Sequence, residues 1–169
     1  AEHILVRDLD VLGQDSPTMI DMALVFVTYA HLQLALGHPE HALELLEAVI
    51  RRLQQVGSQN CLAEAYLLQS EARLAMGEMT QARENLREAK AVAEATRERP
   101  ILWQILASLS EIERRSGNEA ETETLRLQAC EIIQYIADHA GDEQDLRASF
   151  LAQPEVVRVL TRTNKKIAN

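Results

Sequence analysis

Three of the six glycines in this 169-residue chain, Gly37, Gly77 and Gly117, stand 40 residues apart both times. The surroundings repeat with them. "LALGHPEHAL" from Leu34 is matched by "LAMGEMTQAR" from Leu74, and by a third copy in which Arg114 takes the leucine's place. Five residues after each glycine come Ala42, Ala82 and Thr122; seven further on come Val49, Ala89 and Ala129. Small residues also precede each glycine at Ala30, Ser70 and Ser110, with the bulkier Phe26, Tyr66 and Leu106 four positions earlier. Self-similarity at a fixed period of this length signals a stack of small units, each too small to bury its own apolar face.

The unit is a helical hairpin. The segment before each glycine has helical period, and glycine takes the left-handed conformation that ends a helix at no steric cost. Small residues at recurring positions let the paired helices approach closely. Helix starts are marked by Ser16–Pro17, by Asn118 with Glu121 three residues later, and by Pro39 and Pro100 in first turns. Helices are therefore expected over 3–12, 17–36, 39–56, 60–76, 79–96, 100–116 and 119–139, with capping helices over 143–152 and 154–163. No stretch alternates with period two, so no strand is expected. The fold class expected is all-α, a superhelix of antiparallel helix pairs, forming a single domain over 1–169. Residues 1–13 form a half repeat, 17–56, 60–96 and 100–139 the hairpins, and 143–163 the cap. In the cap, Leu146, Phe150 and Leu151 are spaced to cover the last hairpin. With few turn residues and 47% apolar residues, long packed helices suit the composition.

This pattern resembles the tetratricopeptide repeat, over about residues 17–140, and the resemblance implies a right-handed superhelix. The usual period there is about 34; the longer one here is similar to that of its longer-helix relatives. The third copy departs from the pattern at Thr122 and Arg126, where small or apolar residues are expected, which leaves its register open by one residue. Residues 3–12 look like the second helix of a preceding repeat, since Leu5, Val6 and Leu9 fall 40 before Leu45, Leu46 and Val49. The tail, "LRASFLAQPEVVRVL", resembles the closing segment of large bacterial signalling proteins with an upstream NTPase, cyclase, kinase or DNA-binding module. The chain, which opens on Ala1, is read as a fragment of something longer.

The chemistry of catalysis is not found. No phosphate-binding glycine loop or nucleophile elbow occurs. Cys61 and Cys130 lie far apart with no CxxC pairing, as in a reduced, cytoplasmic protein. His38 and His41 flank Pro39–Glu40 with Glu44 nearby, but a closed zinc site needs four ligands, and solvated turn residues are the plainer reading. No enzyme activity, cofactor or metal is expected. The net charge of −9 disfavours nucleic acid and anionic membranes, despite Arg158, Arg162, Lys165 and Lys166 near the end. No apolar run is long enough to span a bilayer.

What remains is the groove that stacked hairpins make. The resemblance assigns to it Leu24, Val27, His31 and Leu34 from the first hairpin, and Glu64, Leu67, Glu71 and Leu74 from the second. The third supplies Gln104, Ala107, Glu111 and Arg114. Each aliphatic residue has an alternative role as interhelical core, and His31 as interhelical polar packing. The family's chaperone-tail receptors hold a carboxylate with Lys, Asn and Arg at such positions; acids and aliphatics stand here instead. The expected function is a protein-interaction module that takes a basic, amphipathic peptide or helix, with Leu67 at the apolar centre of the contact. The alternative is a ligand- or peptide-sensing arm of a bacterial transcriptional regulator or signalling NTPase. Self-association through the face of Ile4, Leu5, Val6 and Leu9 is also expected, because a half repeat leaves that face partly uncovered.

Overall fold

The computed structural model describes residues 18–140 and 144–161. They form α1 (Thr18–Ala35), α2 (Pro39–Gln55), α3 (Leu62–Ala75), α4 (Met79–Thr96), α5 (Arg99–Arg115), α6 (Glu119–Asp138), α7 (Gln144–Leu151) and α8 (Pro154–Thr161). Each bound falls within two residues of its expected position, and no strand occurs among the described residues. The helix expected over 3–12, the Ser16–Pro17 start and the associating face of Ile4, Leu5, Val6 and Leu9 lie outside the described residues. No described helix is long and apolar enough to cross a membrane.

Glycine ends α1, α3 and α5 in the same way. Gly37, Gly77 and Gly117 have φ of +81°, +83° and +78°. The Gly37 N–H donates to the Leu34 carbonyl (3.0 Å) and the His38 N–H to that of Gln33 (2.9 Å). The same two bonds recur from Gly77 to Leu74 and Glu78 to Arg73, and from Gly117 to Arg114 and Asn118 to Glu113. These pairs satisfy carbonyls that a helix end otherwise leaves unbonded. Helix starts depart more from expectation. Asn118 is the N-cap of α6, but its side chain makes no cap bond and Glu121 forms no capping box with it. The Asn118 amide instead reaches the Glu113 carboxylate (3.4 Å). Helix α3 begins at Leu62 because Cys61 takes a left-handed φ of 58° just before it.

The residues fall into two compact units, one ending at Thr96 and one beginning at Arg97. In the first, α1 packs on α2, α2 on α3 and α3 on α4, and α1 also touches α3. Its core holds Phe26, Ala30, Ala42, Leu46, Val49, Tyr66, Ser70, Ala82, Leu86 and Ala89, all buried. The recurring small positions and the bulkier ones that pair with them in these two hairpins are therefore interior. Burial of apolar surface at about 25 cal/mol per Å² makes this the main source of stability. Arg73 bonds Glu47 across the α2–α3 seam (3.2 Å) and Glu78 in the turn after α3 (2.6 Å), so Glu47 is more than a solvated face residue.

In the second unit α5 packs on α6, and α7 and α8 pack on α6 and on each other. Leu106, Ser110 and Ala129 are buried at the recurring positions. Thr122 is accommodated by hydrogen bonding: its hydroxyl donates to the Asn118 carbonyl (2.8 Å), and its own carbonyl accepts from Ser110 Oγ (2.9 Å). Arg126, at the place of Leu46 and Leu86, is buried and held by a two-point bond to Glu123 (3.0 and 2.6 Å). The cap differs from expectation. Leu146 is largely exposed and Phe150 and Leu151 are half-buried; the residues that go inside are Val156 and Val159 of α8.

Candidate interaction surface

Contact between α1 and α3 brings positions one period apart onto one face. His31 and Glu71 are such a pair, close enough for the His31 charge to act on the Glu71 carboxylate. Protein crowded around that carboxylate raises its pKa above the ordinary glutamate value, and His31 opposes the rise only in part. Leu24 and Glu64 flank this pair towards the helix starts, Leu34 and Leu74 towards the glycines. Leu24 and His31 are exposed, whereas Leu34, Glu64 and Leu74 are half-buried. Among the described residues Glu64 and Glu71 form no salt bridge, so their charges remain available to an incoming cation.

Two residues assigned to the groove lie inside instead. Val27 and Leu67 are buried in the first unit's core, where α1 and α3 meet their neighbours. They support the face from beneath and offer it no surface. The physical reason is angular: positions 27 and 67 lie about 40° round the helix from 31 and 71, on the side turned towards the packed core.

The second unit holds the remaining assigned residues. Gln104 is exposed and its amide donates to the Pro100 carbonyl (3.0 Å). Ala107 is half-buried. Glu111 accepts from Arg114 through both carboxylate oxygens (2.9 and 2.7 Å) and from Arg115 (3.0 Å). Expected as an acidic groove residue, Glu111 is instead neutralised by two arginines on its own helix. The i+3 and i+4 spacing of Arg114 and Arg115 was a readable signal for this.

His38 and His41 stand 5.9 Å apart between ring centroids. Among the described residues no group of three or more His, Cys, Asp or Glu side chains is placed to hold a metal ion. No protein-family model matches the chain, and no curated protein matches it. The α1–α3 face must therefore be interpreted from its own chemistry. One strip that repeat reasoning missed is the exposed row Val25, Leu32 and Leu36 on α1.

Proposed function

We propose that the chain is a protein-interaction module of the tetratricopeptide-like kind, binding a basic amphipathic helix or extended segment across the α1–α3 face. The observation that supports it most is the His31–Glu71 juxtaposition. It sets equivalent positions of successive hairpins side by side, as a superhelix of repeats requires. The binding surface on this reading is Leu24, His31, Leu34, Glu64, Glu71 and Leu74, smaller than the sequence assignment and confined to the first two hairpins. Apolar area comes from the leucines; the two glutamates select for Lys or Arg and speed encounter. A net charge of −9 favours the same partners and disfavours nucleic acid and anionic membranes. Cys61 and Cys130 are not joined in a disulfide, which suits a reducing compartment.

The test is binding of Lys/Leu amphipathic peptides to the full chain, with Glu/Leu peptides as controls. The association rate for the basic peptide should fall steeply with salt, and Glu71→Lys should remove much of that dependence. Leu74→Ser should act on the dissociation rate instead. Equal binding of the acidic peptide, or indifference to both substitutions, overturns the assignment.

A further inference from the structure

Helices α1 and α3 touch, and they bring neighbouring rows of unlike chemistry to their common face. The row on α1 is Leu24, Thr28, His31 and Ala35, all exposed and spaced i, i+4, i+7 and i+11 along one side of the helix. From Met22 to His38 the chain has no Asp, Glu, Lys or Arg. Leu24 is 51% exposed, and so is Leu32 at the edge of the row, so this side offers apolar area. Thr28 adds no polar demand, because its hydroxyl donates to the Leu24 carbonyl (2.8 Å). One period later, α3 has Glu64 in the place of Leu24 and Glu71 in the place of His31. Among the described residues neither carboxylate enters a salt bridge. An apolar row thus lies beside an acidic one.

We infer that the partner segment is an α-helix lying along α1 and α3, its apolar face on the α1 row and two Lys or Arg residues, seven apart, on the flank above α3. This rests on the binding surface proposed above and narrows its occupant to one conformation. Spacing is the first reason. Seven residues of α3 set Glu64 and Glu71 about 10.5 Å apart along the axis and within about 20° of one direction. Residues i and i+7 of a docked helix repeat that separation. Along an extended segment, side chains on one face recur at about 6.6 or 13 Å, so no pair meets both carboxylates in register. The second reason is that the two chemistries lie side by side. The occupant must turn apolar groups to one helix and cations to its neighbour while touching both. A helix does so round its circumference. An extended segment has one face against the protein and the other in water, which takes half of its side chains out of the contact.

The test is titration of the full chain with three labelled Leu/Ala/Lys peptides, read by fluorescence anisotropy. The first is stapled as a helix and has its two lysines at i and i+7. The second is the same stapled helix with the lysines at i and i+5, which turns one of them away from α3. The third keeps the first spacing but is unstapled and broken by a central proline. The first should bind about tenfold or more tighter than the third, because its helix is formed in advance. It should bind roughly two- to fivefold tighter than the second, the worth of one exposed ion pair. Replacing either lysine of the first peptide by leucine should weaken binding to the parent chain. One of these replacements should cost nothing in Glu64→Gln, and the other should cost nothing in Glu71→Gln. Equal binding of the three peptides, or coupling of both lysines to the same glutamate, overturns the helix while leaving a basic segment as the ligand. Binding of none of them, or indifference to Glu71→Lys, overturns the surface and the helix together.

Discussion

Arg97 does without a Cβ-free residue what glycine does elsewhere in the chain. It sits one period after Gly57 and takes almost the same left-handed backbone, with φ of 59° against 66°. For a residue with a Cβ that conformation costs roughly 1–2 kcal/mol, partly offset in glycine by its freer unfolded chain. Arg97→Gly should accordingly raise stability by about 0.5–1 kcal/mol in urea denaturation. Gly77→Ala should lower it by about 1 kcal/mol through φ alone, since nothing lies within 4 Å of the Cβ it would add. Glu71 makes a pH prediction. Its folded pKa is raised, so the folded state binds more protons than the unfolded one just above the ordinary glutamate value. Stability contributed by this group is therefore greatest in acid and falls as pH rises through the folded pKa. Glu71→Gln should remove that downward step from a curve of stability against pH, and a basic peptide bound at this site should release protons in the same window.

At the scale of helices, the crossing of α3 and α4 is set by Ala82, which is fully buried. Ala82→Leu should overpack it and cost roughly 1–3 kcal/mol, while exposed Glu84→Leu should stay within about 0.5 kcal/mol. Equal midpoints in chemical denaturation would show that the 82 position is not the tight one. Arg126 on α6 is a buried charge at a leucine position, answered by Glu123 on the same helix. Buried ion pairs are often matched or bettered by apolar residues. Arg126→Leu should be neutral or stabilising in thermal melts, whereas Arg126→Ala should destabilise by leaving a cavity under α8. The hairpins were legible in the sequence because each turns on a glycine, Gly37, Gly77 or Gly117, and carries small residues at fixed offsets. The side-chain cap at Asn118 was not: its amide has a competing carboxylate at Glu113, which only the folded turn brings near. Nor was the identity of the capping contact, where α8 supplies Val156 and Val159 in place of Leu146 from α7.

At the scale of the whole molecule, folding and binding separate between neighbouring leucines. Leu67→Asp puts an unpaired charge into the core and should cost about 3 kcal/mol or more, a loss of fold and not of a contact. Leu24→Ser, at a largely exposed position, should leave the melting curve nearly unchanged and weaken only peptide binding. Periodicity by itself determined that this chain makes helices, where they turn, and which positions recur as interior, because those follow from local backbone geometry and the spacing of apolar residues. Only tertiary packing decided which side of α1, α3 and α5 is surface. Val27 and His31 are one turn apart and both read as groove, yet about 40° of rotation and the neighbouring helices bury one and leave the other facing water. Charge followed the same division: Glu64, Glu71 and Glu111 look alike in sequence, but two arginines fold onto Glu111, and His31 with its crowded surroundings tunes Glu71.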